Sequence, residues 1–420
     1  SQFNDAQNSM NIYLGIILAA LLVDYFLHAL SRFLDLKNLS TNLPDEFIDH
    51  YSSEEYTRSQ EYLRENTRFS YFTSSFDLMV ILLVILLGIF NILDLWIRDF
   101  GFTPLISGLI FFGVLFLIQD IISTPFSLYR TFVIEEKFGF NKTTPKTYIL
   151  DKLKGYILLL ILGGLVLSLI LYFFESFGDM AWLYAWMVMS AFLVLVQPLF
   201  TLVIAPMFNT FTPLEDGELK DKINQFARQV NFPISRIDVM DGSRRSSKAN
   251  AYFSGIGKNK RIALFDTLIE KHSIEELLSI IAHEVGHYKH RHNIKGIILG
   301  VIQSGLMFFI LSIFLNNPKL FAAFNMQNLS VYASLLLFSL LYSPVDLIMS
   351  FISNNISRKH EFEADAFAKK SIGTEENLIE GLKKLTVTNL GNLSPHFFTV
   401  WLNYSHPPVL DRIHALQNKY

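Results

Sequence analysis

Residues 156–174 read YILLLILGGLVLSLILYFF, a run of nineteen residues without a charged side chain. About 18 or more apolar residues in a row are long enough to cross the hydrocarbon core of a bilayer as an α-helix. Six further runs of this kind can be drawn, so the sequence predicts a mainly α-helical membrane protein with seven transmembrane helices. The other six predicted spans are 12–30, 76–97, 105–122, 182–204, 294–315 and 331–352.

The amino-acid composition also indicates a membrane protein. Of the 420 residues, 51% are hydrophobic and only 17% are charged, whereas soluble domains carry about 25% charged residues. A formal net charge of -3 provides no basic field for a nucleic acid, so we expect no nucleic-acid partner. Cysteine is absent, which excludes disulfides, thiolate metal sites and a cysteine nucleophile. Any metal must therefore be held by histidines and carboxylates.

Lysine and arginine alternate between rich and poor segments along the chain. The segments after spans one, three, five and seven carry 5, 6, 13 and 8 of these residues, and the segments after spans two, four and six carry 1, none and 1. Basic loops remain on the cytoplasmic side of a membrane. We therefore expect a multi-pass protein in the lipid bilayer with its N-terminus outside and its large polar regions in the cytoplasm. The choice between the endoplasmic reticulum and a bacterial inner membrane stays open.

These spans divide the chain into five parts. We expect a disordered tail or a cloning remnant at 1–10, followed by spans one to five with their cytoplasmic loops at 11–204. A first cytoplasmic region at 205–293 precedes the hairpin of spans six and seven at 294–352, and a second cytoplasmic region occupies 353–420.

The first cytoplasmic region has the pattern of a small α+β domain. Ile237 and Val239 alternate as in a short strand, and residues 249–254 and 261–265 predict two strands around the turn GIGKNK. Ser273 with Glu276 has the spacing of a capping box, which predicts a helix running at least to residue 287.

That helix contains the sequence HEVGH. His283 and His287 are four residues apart, so both imidazoles lie on one helical face and can bind one ion, while Glu284 can reach the attacking water. By composition a chance match to this spacing is expected roughly 0.01 times in such a chain. The motif predicts a metalloprotease site, and the alternative is a solvated, charged helix face.

A third metal ligand is supplied after span seven, in HEFEADAFAKK. Glu361 and Asp365 are again four residues apart, so Glu361 can bind the metal and Asp365 can accept the N–H of a ligating histidine. Glu363 is expected to face solvent, and His360 is a weaker competitor for the ligand role. Because two spans separate His287 from Glu361, the chain returns to the side that it left, and the two ligand helices can meet.

The motifs together resemble the integral-membrane CAAX prenyl proteases of type I, the zinc endopeptidases that process yeast a-factor and prelamin A. The resemblance extends over nearly the whole chain, through SKANAYFSG, GKNKRIALFDTLIE, IAHEVGHYKH, HEFEADAFA and YSHPPVLDRI in that order. It implies a large water-filled chamber within the membrane. It also implies a gluzincin-like zinc protease domain at the cytoplasmic end of that chamber, with one Zn²⁺ per chain.

The resemblance assigns roles to the metal-site residues. His283, His287 and Glu361 resemble the three zinc ligands, and Glu284 resembles the catalytic base. The implied reaction is hydrolysis of a peptide bond by a water that zinc activates and Glu284 deprotonates.

Three further residues resemble substrate-binding or catalytic positions. Asn250 resembles a residue that holds the substrate backbone, on a strand edge to which an extended peptide can pair. His406 and Arg412 resemble residues that stabilise the tetrahedral oxyanion. Each also has a simpler interpretation, because Asn250 could be a turn residue, His406 could cap a helix and Arg412 could pair with a carboxylate.

Three functions are consistent with the sequence. The first is a protease for C-terminal, prenylated CAAX-type peptide or protein substrates. The second is a quality-control protease for unprenylated or misfolded membrane proteins. The third is a non-hydrolytic protein that uses the chamber for binding or transport, and the intact HExxH sequence argues against it. The natural substrate and the oligomeric state stay open.

Overall fold

The computed structural model describes residues 11–418, and the protein is mostly helical. The tail expected at 1–10 lies outside the described residues. The first half of the chain forms six helices, α1 Ile12–Asn38, α2 Ser53–Leu86, α3 Ile89–Arg98, α4 Pro104–Glu135, α5 Pro145–Ser176 and α6 Gly178–Phe208. The second half forms α7 Glu218–Gln229, α8 Asp266–Lys271, α9 Ile274–Lys289, α10 His292–Phe314, α11 Pro318–Ala323, α12 Val331–Leu341, α13 Ser343–Ile372, α14 Glu376–Thr388, α15 Phe397–Asn403 and α16 Val409–Leu416.

Six of these helices are long and apolar enough to cross a membrane, namely α1, α2, α4, α5, α6 and α10. Helices α12 and α13, with a bend of 56° between them, make a seventh candidate crossing when they are counted as one span. The predicted class, a helical protein with about seven spans, is therefore confirmed.

The second span differs in its bounds from the prediction. The sequence predicted one helix over 76–97, whereas α2 ends at Leu86 and α3 is a separate helix. Gly88 lies between them with a φ of +66°. This left-handed conformation is readily adopted by glycine and interrupts a right-handed helix. An apolar run does not reveal such a break, because the apolar C-terminal part of α2 continues through Gly88 into apolar residues of α3.

Few residues of the membrane spans are buried inside the protein. Between 6% and 17% of the residues in each apolar window are buried, so most of these side chains face lipid or an internal space. A cavity of about 630 Å³ lies among α1, α2, α3 and α4. Asp24, His28, Arg32 and Asp77 are on its lining, beside many apolar side chains. Charged groups at membrane depth are costly in lipid, and here they face a cavity.

A four-stranded sheet lies in the polar region 205–293, with β1 Phe211–Pro213, β2 Arg236–Met240, β3 Ala251–Ile256 and β4 Asn259–Phe265. The strand order is β1-β2-β4-β3, with β2 and β4 parallel and the other two pairs antiparallel. The predicted hairpin is confirmed, since Ile256 pairs with Asn259 around Gly257, whose φ is +64°. Strand β3 lies at the edge of the sheet.

The core of this region joins segments that are far apart in the sequence. Phe47, Ile223, Leu264, Ile281 and Ile413 are fully buried within one apolar cluster. Burial of each such side chain contributes about 1.5–3 kcal/mol. The loop after α1, the sheet, α9 and the C-terminal helix α16 therefore form a single unit around the HEVGH helix.

Candidate metal centre

Helix α9 begins with the capping box that the sequence predicted. The Ser273 hydroxyl accepts a hydrogen bond from the backbone N–H of Glu276, and the Glu276 carboxylate accepts one from the N–H of Ser273. The helix continues to Lys289, so HEVGH lies in its last two turns. His283 is buried and His287 is partly buried.

The structure brings the three predicted ligands together. The Nε2 atoms of His283 and His287 are 3.1 Å apart. Glu361 has its Oε2 atom 3.2 Å from Nε2 of His283 and its Oε1 atom 3.1 Å from Nε2 of His287. Tetrahedral zinc with bonds of about 2.0–2.1 Å separates its ligand atoms by roughly 3.3–3.4 Å. Oε2 of Glu361 is buried and accepts no hydrogen bond from the described residues. The distances and the donor types therefore fit a zinc ion.

Close approach of two helices creates this arrangement. Gly286 of α9 faces Ala364 of α13, and a Cβ atom on Gly286 would lie 3.0 Å from the Ala364 carbonyl oxygen and 3.1 Å from its Cα. Few real Cβ atoms have such close neighbours. A glycine between Glu284 and His287 therefore allows the histidines to reach Glu361 on the facing helix.

Asp365 contacts His283, the first histidine of HEVGH. Nδ1 of His283 lies 2.7 Å from Oδ1 of Asp365, so an N–H donated at Nδ1 leaves Nε2 free to bind the metal. Burial by itself lowers the pKa of His283, but Asp365 and the nearby Glu361 carboxylate outweigh burial and raise the pKa to about 9 in the metal-free protein. Zinc must displace a proton from this imidazole.

Glu284, the predicted general base, lies next to the ligand cluster. It follows His283 on α9, and the charges of His283, His287, Glu361 and Arg412 are close enough to act on it. Burial raises the pKa of the Glu284 carboxyl above its ordinary value. A raised pKa makes a carboxylate a better proton acceptor near neutral pH.

Arg412 and His406 both approach the site from the C-terminal region. Arg412 donates from Nε and Nη2 to the two oxygens of Asp365, at 2.8 and 2.7 Å, and Nη2 is 3.8 Å from Glu361. Nε2 of His406 is 3.3 Å from Oε1 of Glu361, and the His406 side chain is 66% exposed. Arg412 is thus engaged with a carboxylate, whereas His406 lies at the open side of the metal site. Their proposed contact with the oxyanion stays a prediction.

Asn250 immediately precedes the edge strand. Its Oδ1 atom accepts a hydrogen bond from the N–H of Ala251, and the residue is exposed. Strand β3 is close to α9, where the Tyr288 ring contacts Phe253 with the ring centres 5.7 Å apart. Among the described residues β3 is thus an edge strand close to the HEVGH helix, and the role of Asn250 in substrate binding stays a prediction.

Two polar residues near the ligands were not predicted to take part. Nδ1 of His292 lies 2.9 Å from Nδ1 of His287, and Nε2 of His292 lies 2.8 Å from Oε2 of Glu363. Glu363 was expected to face solvent, but it contacts His292. The signal in the sequence is a histidine five residues after His287. Whether this histidine reaches back to His287 depends on the turn at Arg291, whose φ is +56°. His360, the competing ligand, instead stacks on His292.

Comparison with known proteins agrees with this geometry. A model described as CAAX prenyl protease N-terminal, five membrane helices, matches residues 33–210, and the model of peptidase family M48 matches residues 213–420. The mouse protein named CAAX prenyl protease 1 homolog is 33% identical over 90% of this chain and 89% of its own length. The chain belongs to peptidase family M48.

Further relatives place this M48 peptidase among membrane-embedded members of the family. The protein named probable CAAX prenyl protease 1 in Schizosaccharomyces pombe is 37% identical over 89% of this chain and 81% of its own length. The crystal structure of S. mikatae Ste24p has a TM-score of 0.90 at 33% identity, covering 96% of this chain and 98% of that one. The M48 peptidase described here is therefore a multi-pass membrane metalloendopeptidase.

Proposed function

We propose that the protein is a zinc endopeptidase that cleaves CAAX-type substrates near a prenylated C-terminus. The observation that carries the proposal is the convergence of two imidazole nitrogens and one carboxylate at 3.1–3.2 Å. The relatives are named CAAX prenyl proteases, and this indicates the substrate class. One zinc ion per chain would be held by His283, His287 and Glu361.

The residues around the ligands suit peptide hydrolysis. Zinc would supply Lewis acidity, which lowers the pKa of a water and polarises the scissile carbonyl. Glu284 would accept the proton of the attacking water and deliver it to the leaving amine. His406, on the open side of the site, would donate a hydrogen bond to the developing oxyanion, and loss of one such donor typically costs about 3–4 kcal/mol. Arg412 holds Asp365, which in turn orients His283.

The edge strand and the cavity support the proposed substrate. An extended peptide can pair with the free edge of β3, and Asn250 lies where that edge begins. Apolar side chains form much of the cavity of about 630 Å³ among the spans, a setting suited to a lipid chain. The alternation of basic loops supports a position of the site on the cytoplasmic side of the membrane. That membrane would be the endoplasmic reticulum or a bacterial inner membrane.

The test compares one peptide with and without a farnesyl group. Purified full-length protein in detergent should cleave the farnesylated peptide, and a chelator should stop the reaction. The variant His287→Ala should lose both zinc and activity, whereas His290→Ala, an exposed neighbour on the same helix end, should keep both. Equal cleavage of the two peptides would favour the quality-control function instead. Zinc binding without cleavage of either peptide would contradict the proposal.

A further inference from the structure

We infer that His292 and Glu363 are positioning residues for the second metal ligand, His287. The inference rests on the proposed metal site and concerns what holds one of its ligands. The three side chains form a continuous series of contacts, with 2.9 Å between His287 and His292 and 2.8 Å between His292 and Glu363.

The direction of each hydrogen bond follows from the metal ligand. A neutral His287 that binds through Nε2 carries its one proton on Nδ1. That N–H must donate to Nδ1 of His292, the atom facing it. His292 then carries its own proton on Nε2 and donates it to the Glu363 carboxylate. Each hydrogen-bonding group in the series is paired, and His287 is held with Nε2 towards the metal.

The position of His292 is itself well determined. Its side chain is 5% exposed, and its ring stacks on that of His360 with centres 3.9 Å apart and planes 9° apart. His292 is the first residue of α10, and Glu363 follows Glu361 by two residues on α13. The series His287–His292–Glu363, called the relay below, therefore connects the end of α9 to the start of one membrane span. It also connects α9 to the helix that supplies the third ligand.

The two histidine ligands are supported differently. His283 contacts a carboxylate directly, and that carboxylate, Asp365, is 3% exposed and paired with Arg412. At its Nδ1 atom, His287 instead contacts a second imidazole, which in turn contacts Glu363, and Glu363 is 32% exposed. Because the two supports share no residue, loss of His292 should affect the orientation of His287 while leaving the His283 support intact.

A rival assignment uses some of the same atoms. His290, His292 and Glu363 have ligand atoms within 4.8 Å of one another, a second cluster among the described residues that could hold a metal. If Nε2 of His292 bound an ion, it could not donate to Glu363. His290 distinguishes the two assignments, because a second metal needs it and the relay does not. Its Nδ1 atom is 4.0 Å from Oε2 of Glu363, and its side chain is 43% exposed.

The experiment measures zinc affinity by competition with a chelator, using purified full-length protein in detergent. Loss of the partner of a ligating histidine typically weakens metal binding by about 10–100-fold. We expect such a loss in His292→Ala and in Glu363→Ala. Glu363→Gln keeps an acceptor oxygen and should recover most of the affinity. His290→Ala is the matched control and should bind zinc like the wild type.

Cobalt substitution provides a second readout. The visible spectrum of bound Co²⁺ reports ligand geometry, so it should change in His292→Ala and not in His290→Ala. Equal zinc affinity in His292→Ala and the wild type would overturn the inference. Two ions per wild-type chain, reduced to one in His290→Ala, would overturn it in favour of a second metal site. Zinc retained by His287→Ala would overturn the underlying metal site, a result distinct from both.

Discussion

Protonation of His283 should control how zinc affinity depends on pH. Burial opposes the charged form, but Asp365 and Glu361 outweigh it and raise the pKa of His283 to about 9 in the metal-free protein. A histidine must be neutral to bind a metal, so zinc competes with this proton. At pH 7 only about 1% of the imidazole is neutral, which costs about 3 kcal/mol of binding free energy. Zinc affinity should therefore rise roughly tenfold per pH unit from pH 7 and level off above pH 9.

The variant Asp365→Asn tests the cause of this dependence. A neutral amide stabilises the imidazolium less than a carboxylate does, so the pKa of His283 falls and the affinity levels off at a lower pH. The zinc affinity at which the variant levels off should be about 10–100-fold lower than that of the wild type, because an amide orients His283 less firmly than the carboxylate does.

The assay is chelator competition on metal-stripped protein in detergent, between pH 7 and 9.5, with His290→Ala as the control. A zinc affinity that does not change between pH 7 and 9 would refute this reasoning. A variant Asp365→Asn that levels off at the same pH as the wild type would refute it equally.

Three further predictions follow from the same site. Glu284→Gln should bind zinc normally but lose about 10²–10⁴-fold in kcat, since it removes the proton acceptor and no ligand; zinc analysis beside a peptide assay checks both, and turnover near the wild-type rate would exclude Glu284 as the base. Gly286→Ala should force α9 and α13 apart, cost about 1–3 kcal/mol and weaken zinc binding, whereas Gly296→Ala, whose added Cβ would meet nothing within 4 Å, should leave the chelator-competition curve unchanged. The metal-free protein should be more stable at pH 6 than at pH 9.5, because the raised pKa of His283 adds stability that is present below about pH 6.5 and lost as the pH rises through 9. Thermal unfolding after chelation measures this difference, and a protein more stable at pH 9.5 than at pH 6 would contradict the prediction.

The sequence predicted the membrane class and the small α+β domain well, because both depend on local patterns. Apolar length identifies a span whatever surrounds it, and the capping box at Ser273 satisfies backbone groups within its own first turn. The break at Gly88 was missed, because glycine within an apolar run is compatible with a continuous helix and with a turn. The bend between α12 and α13 was also missed; it lies at Tyr342, two residues before Pro344, and a proline within an apolar run kinks or ends a helix.

The metal-ligand candidates were predicted from their spacing. Of the residues that contact these ligands, some were predicted from the sequence and others were not. Asp365 lies four residues after Glu361 on one helical face, so it could be placed beside the metal from the sequence. Glu363 lies two residues after Glu361, a spacing that suggests a different face. Only the position of α10 shows that His292 reaches from the start of a span to meet it. Arg412 likewise had two possible roles, and its contacts with Asp365 show one of them.

The sequence by itself determined that the chain crosses a membrane several times and carries HEVGH and Glu361 as metal-ligand candidates, since hydrophobic length and helical spacing act within one element. The tertiary structure decided what holds those ligands. The approach of α9 to α13 at Gly286, the Asp365–Arg412 pair and the His287–His292–Glu363 series join side chains from separate helices. Such contacts depend on how helices are placed relative to one another, which no pattern within a single helix specifies.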